Sequence, residues 1–266
     1  MGLIQLLAIN AGVSAVCFLV LWRIAVAIKD PSFIDSWWAA GMGVLAVATF
    51  VETGAPSPRK MALTGLTLIW SLRLAGYLLW RWRSQGPDRR YATMMGRAQK
   101  DRGWSFAKAS LLLVFALQAP LQFIVALPVQ LGQWDAAPIT IGPVGWAGVA
   151  LAAFGVAFES LGDAQLAAFK ANDANKGKVM DAGLWRYTRH PNYFGDACVW
   201  WGLWLIAAET PTGLWSLPGP ILMTFLLTRW SGVPTVEGRL RRSRPGYEAY
   251  VARTSGFVPW FPRRAV

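Results

Sequence analysis

Seven apolar runs, at roughly 3–28, 33–53, 61–82, 107–130, 140–161, 193–209 and 213–230, decide what this chain can fold into. Each approaches the ~20 residues a helix needs to cross the hydrocarbon of a bilayer. Within lipid the backbone must satisfy its own polar groups. The runs therefore predict an all-α integral membrane protein with seven transmembrane helices.

Composition agrees. The chain is 55% hydrophobic with 16 Trp and only 15% charged residues, against roughly 25% charged in soluble domains. A net charge of +12 raises nucleic acid as a partner. The cations, however, lie between the apolar runs, where a positive-inside membrane protein explains them better. Cys17 and Cys198 both fall in apolar runs, and there is one histidine, so neither a disulfide framework nor a metal site is expected. The first run lacks a basic leader and reads as a span rather than a cleaved signal. Without repeats, linkers or low-complexity tracts, residues 1–266 read as a single integral domain.

Charge orients the spans. Segments 81–108, 170–189 and 229 onward hold 21 of the 26 cations, whereas 131–139 holds none. With seven spans these three segments share one face, which the positive-inside rule makes cytoplasmic, leaving the N-terminus outside.

Ionisable residues inside spans mark cavities or partners. They are Asp35, Glu52, Arg73, Glu159 and Asp163. Arg73 and Tyr77, four apart, share a helical face, as do Glu159 and Asp163. The loop from Gly183 to Asp196 gathers Arg186, Arg189, the sole histidine His190, Asn192, Tyr193 and Asp196, with Pro191 suited to open the next helix. By charge alone this loop is either a topology signal or an anion site at a helix N-terminus. His190 beside Pro-Asn-Tyr points to a site. Segment 88–102, with Tyr91, Met94, Met95 and Ala98 at helical spacing, reads as an interfacial helix on anionic lipid. In the tail, which opens at Glu237, Tyr247 and Tyr250 can share a face, and Phe257, Trp260 and Phe261 read as an anchor returning to the membrane. Together these residues suit a large anionic cofactor. Cations meet phosphates, Asn192 and Tyr193 hydrogen-bond an amide or ribose, and carboxylates hold ribose hydroxyls. No Gly-x-Gly-x-x-Gly unit, Walker A motif or serine nucleophile elbow is present.

Arg189-His-Pro-Asn-Tyr-Phe-Gly-Asp196 and the Tyr247-x-x-Tyr-x-x-x-Thr-Ser-x-Phe-x-Pro259 tail resemble the steroid 5-alpha-reductase and sterol reductase superfamily, in its bacterial, DUF1295-like members. The likeness is strong over about 155–200 and 235–262. Its core, Arg-His-Pro-x-Tyr-x-Gly, is also similar to isoprenylcysteine carboxyl methyltransferases, which use S-adenosylmethionine. The longer run favours the reductases. The resemblance implies that Asp163, Lys170, Tyr187, Asn192 and Asp196 contact NADPH, that Arg73 and Tyr77 match a cofactor-binding pair on the third span, and that 155–262 carries most of the site. Glu159, Arg189, His190 and Glu237 complete the candidate cofactor set. The 2′-phosphate falls to Lys170, Lys178, Arg189 or the tail arginines. In that family a glutamate and a tyrosine polarise the substrate ketone. Asp35 is the nearest counterpart of the glutamate, while Trp70, which has no acidic proton, stands at the tyrosine's position. The acid is then Asp35 alone or a tyrosine from elsewhere. Asp35 and Arg73 are the candidate catalytic residues. The implied activity is NADPH-dependent reduction of a lipophilic steroid or isoprenoid enone, by a monomer in a bacterial inner membrane with its cofactor site facing the cytoplasm. The alternatives are an S-adenosylmethionine-dependent methyltransferase and a non-catalytic lipid-binding protein.

Overall fold

The computed structural model describes residues 2–263, and every regular element among them is a helix. α1 (Leu3–Ile28), α2 (Ile34–Thr53) and α3 (Pro58–Gln85) follow one another through short turns. Ser57 caps α3 by accepting from the Lys60 N–H, and Pro58 fills its first turn, where a missing N–H costs nothing. Asp88 caps α4 (Arg89–Arg102), which ends at Gly103 with φ 63°, a left-handed position that suits glycine. α5 (Phe106–Ser110) runs through a π-turn (Leu111–Phe115) into α6 (Ala116–Val125), and α7 (Leu127–Leu131) follows. Then come α8 (Pro143–Ala171), α9 (Pro191–Ala207), α10 (Pro211–Leu214), α11 (Pro218–Phe225), α12 (Val233–Ser243) and α13 (Tyr247–Arg253).

Five helices are long and apolar enough to cross a membrane: α1, α2, α3, the continuous helix Phe106–Val125, and α8. The chain is thus a multi-pass membrane protein. The apolar runs at 193–209 and 213–230 do not reach that length. α9 has 17 residues, and α11 has eight before a five-residue π-turn, Leu226–Trp230. Pro218 starts α11 inside the second of these runs, because a proline opens a helix more readily than it continues one.

The described chain forms two compact units. The first runs to Gly145 and includes Leu203–Gly219; the second comprises Trp146–Gly202 and the chain from Pro220. In the first, Phe18, Ala25, Ile34, Tyr91, Met95, Ala98, Val114 and Phe115 make one buried cluster. The apolar stripe of α4 therefore faces the protein core, and only its basic side is left for the membrane surface. Buried amides tie the spans together. Asn10 donates to Thr49 Oγ1 at 2.8 Å and to Gln130 Oε1 at 3.2 Å, and Gln133 donates to the Ala46 carbonyl at 3.1 Å. Arg59, fully buried, caps the carbonyls of Gly132, Asp135 and Pro138. Glu209 accepts from the Gly142 and Gly145 N–H groups at 3.0 and 2.7 Å, a carboxylate at the start of α8 where the helix dipole favours it.

In the second unit α8 and α9 meet along glycines two turns apart on each helix, Gly155 with Gly162 and Gly195 with Gly202. A Cβ on Gly195 would lie 2.6 Å from the Glu159 nitrogen and 2.7 Å from the Gly155 oxygen. Close backbone approach across small residues is what binds helices where lipid removes the hydrophobic drive. Gly195→Ala is expected to destabilise the protein by about 1–3 kcal/mol, read as a lower unfolding midpoint in detergent. Gly65→Ala, where the added methyl meets nothing within 4 Å, serves as the control.

Candidate functional site

Three polar clusters form, one in the first unit and two in the second. In the first, Asp35 lies in the opening turn of α2, with its side chain 26% exposed. The Tyr91 hydroxyl donates to its Oδ1 at 2.6 Å, and Arg90 Nη2 donates to its Oδ2 at 3.1 Å. Gln118 Nε2 donates to the Tyr91 oxygen at 3.3 Å, while its own carbonyl oxygen is buried without a hydrogen-bond partner. Burial, together with the Asp35 charge and hydrogen bond, pushes the Tyr91 phenol well above its ordinary pKa. Tyr91 thus keeps its proton throughout the neutral range. Asp88 holds Arg90 from the other side at 2.9 Å. Burial raises the Asp88 carboxyl, but hydrogen bonds and charge from Arg90 outweigh it and leave the pKa below the ordinary value.

Arg73 and Tyr77 do share a face of α3, the guanidinium lying 5.9 Å from the ring centroid. Trp70, one turn earlier, is fully buried.

The second cluster sits where α8 meets the start of α9. Glu159 and Asp163, one turn apart on α8, are both buried, as is Asp196 on α9. Asn192, in the first turn of α9, donates its carboxamide N–H to Asp163 Oδ1 at 3.1 Å. Lys170 is exposed in the last turn of α8. Tyr187 is 38% exposed, with its ring edge against Phe261.

Arg189, His190 and Glu237 are gathered into a third arrangement that fastens the tail. Arg189 Nε donates to Glu237 Oε1 at 2.8 Å, and His190 Nε2 lies 3.1 Å from the same oxygen. Arg189 Nη1 donates to the Thr254 and Val251 carbonyls at 2.6 and 3.3 Å. Around this clamp the tail pairs with the loop. Thr188 and Ser255 form a parallel bridge, Arg189 N–H donates to Ser255 O at 2.9 Å, and Trp260 N–H donates to Tyr187 O at 2.9 Å. The Tyr250 hydroxyl donates to the Trp185 carbonyl at 2.6 Å. Tyr247 and Tyr250 are both buried, with ring centroids 5.8 Å apart, while Trp260 and Phe261 stay more than two-thirds exposed. Burial pushes the Glu237 carboxyl up, but the hydrogen bonds and charges of His190 and Arg189 prevail and hold its pKa at about 2.

The structure therefore joins Asn192 to Asp163 and Arg73 to Tyr77, and commits Arg189 and Glu237 to each other. Sequence reasoning missed Tyr91 and Arg90 as partners of Asp35, and Gln118 as the partner of Tyr91. The available signal is the apolar stripe of α4, Tyr91, Met95 and Ala98 at spacings of four and three, which suits a protein core as well as a lipid surface.

No curated protein and no solved structure matches this chain. One family model matches, over residues 21–254, under the description "Protein of unknown function (DUF1295)". The match takes in Asp35 and Tyr91, the loop Gly183–Asp196 and the tail through Thr254, so the chain belongs to the DUF1295 family.

Proposed function

We propose that the protein is an NADPH-dependent membrane reductase of a lipophilic enone, steroid-like or isoprenoid. The DUF1295 family is associated with steroid 5-alpha-reductase-like membrane proteins, which agrees with this reading. The observation that carries it is the Asp35–Tyr91–Gln118 arrangement. Reducing an enone requires a donor for the oxygen on which charge develops. A methyl transfer from S-adenosylmethionine requires none.

The donor set of the second unit fits a nucleotide cofactor. Asp163 and Asp196 are buried carboxylates suited to ribose hydroxyls, Asn192 offers a carboxamide, and Lys170 is an exposed cation for phosphate. When bound, NADPH would supply a hydride to the β-carbon of the enone. The chain's own part is electrostatic. Both Asp35 oxygens already accept hydrogen bonds, so the transferable proton is that of Tyr91. Tyr91 turns its one O–H from Asp35 Oδ1 toward the ketone oxygen as negative charge develops there, while Gln118 Nε2, which donates to the phenol oxygen, holds the ring in place. A preoriented donor of this kind is commonly the largest single catalytic term. Arg189 and Glu237, matched to each other, are assigned to holding the tail rather than to contacting the cofactor.

The cation-rich face is assigned to the cytoplasm. Segments 81–108 and 170–189 follow odd-numbered spans. Segment 229 onward joins them whether α9 and α11 cross as a pair or neither crosses, so the assignment does not depend on their length.

Thermal unfolding of the detergent-purified protein with NADPH, NADH or S-adenosylmethionine tests the reading. A ligand that binds the folded state raises the midpoint in proportion to its affinity. A rise with NADPH is expected, with a loss of that rise in Asn192→Ala. A rise with S-adenosylmethionine alone would replace the reading with methyl transfer, and no rise with any of them would favour a lipid-binding protein.

A further inference from the structure

Beside its buried apolar stripe, and sharing Ala98 with it, α4 borders a groove. Arg90, Arg97, Arg102, Met94, Asp101 and Leu113 line this groove of about 540 Å³. Arg90 is held by two carboxylates, Asp88 and Asp35. The other two lining arginines, Arg97 and Arg102, share the lining with one carboxylate, Asp101, so an anion placed between these two arginines is favoured.

Depth identifies where that anion comes from. α4 is tied to the end of α3 by residues 86–88 and to the start of Phe106–Val125 by residues 103–105, and both neighbours are long and apolar enough to cross a membrane. Three-residue links reach at most ~10 Å, so α4 is held at the level where those two helices leave the hydrocarbon. Trp104 marks the same level. It is half-buried, with the Arg102 guanidinium 5.0 Å and the Lys108 ammonium 5.1 Å from its ring, and tryptophan favours headgroup depth. Leu113, about two turns into the span, and Met94 give the groove apolar walls beside its arginines. A free phosphate would use the arginines and leave those walls bare.

We propose that this groove is a binding site for one anionic phospholipid, its phosphate on Arg97 and Arg102 and its acyl chains along Leu113. The groove shares Arg90 with the cluster assigned to reduction, but the two arginines that hold the phosphate, Arg97 and Arg102, have no part in that assignment, so the two readings are tested apart.

Native mass spectrometry of the full-length protein in an uncharged detergent, titrated with phosphatidylglycerol and phosphatidylcholine, tests it. One phosphatidylglycerol should be retained in preference to phosphatidylcholine. The double variant Arg97→Gln, Arg102→Gln should weaken that retention about thirtyfold, from roughly one surface-cation contribution per arginine. Arg97→Lys with Arg102→Lys should keep most of it, which separates lost charge from lost fold. Lys176→Gln with Arg186→Gln removes the same charge from exposed positions of the second unit and should leave retention intact. Three outcomes would overturn the proposal: equal weakening in that control pair, equal retention of phosphatidylcholine, or displacement of the lipid by inorganic phosphate at matched concentration.

Discussion

Tyr91→Phe is expected to cut turnover of an accepted enone by about 10²–10³-fold, the usual loss when one oxyanion donor is removed, while NADPH still raises the unfolding midpoint. The phenyl ring keeps its place among Met95, Ala98 and Phe115, so the change removes one hydroxyl and little packing. It also removes the 2.6 Å hydrogen bond to Asp35, at a stability cost of about 1–3 kcal/mol. That cost shifts the midpoint but not the split between cofactor binding and turnover. Asp35→Asn orders the two residues. An asparagine oxygen can still accept from Tyr91, so if the phenol supplies the proton this variant should lose less than Tyr91→Phe. If Asp35 itself were the donor, the order would reverse. Because Tyr91 is pushed well above its ordinary pKa, its ionisation should not add an alkaline limb to the rate profile below about pH 10. NADPH oxidation followed across pH with both variants measures each of these, and full turnover in Tyr91→Phe would remove the tyrosine from the mechanism.

Glu237→Ala should lower the stability of the protein without ligand by about 3 kcal/mol, the lower end of the range for breaking a buried ion pair. Arg189 and His190 would lose the oxygen they share, though Arg189 would keep the Thr254 and Val251 carbonyls. The comparison with Glu237→Gln isolates the charge. A Glu237 that only contacted cofactor would behave otherwise: the unliganded midpoint would stand and only the NADPH-induced rise would shrink. The clamp also has an acid signature. The folded carboxyl titrates at about 2 against an ordinary 4.5, so its contribution is fully present above pH 4.5 and is lost as pH falls toward 2. Arg189, His190, Arg241 and Tyr247 are the groups that set this value or sit beside it. In Glu237→Gln that part of the acid unfolding should disappear.

The parts legible in the sequence are those governed by neighbours along the chain. Five of the seven apolar runs are helices fit to span, because a long apolar stretch has one way to satisfy its backbone in lipid. Pro191 opens α9 as its fixed φ allows, and Arg73 meets Tyr77 because a helix repeats every 3.6 residues. The runs at 193–209 and 213–230 form the shorter helices α9 and α11, the second of which starts only at Pro218, inside its run.

Partner choice lay outside the reach of local reasoning. Tyr91 reaches Asp35 across 56 residues, and Glu237 reaches Arg189 across 48. Nothing in either stretch says that one carboxylate will orient a phenol while the other fastens a tail. The sequence by itself determined that the chain carries helices fit to span a membrane and that Pro191 opens one of its helices. Only the tertiary structure decided which residues hold each other, because burying a charge in a low-dielectric interior is affordable only where packing brings its partner alongside.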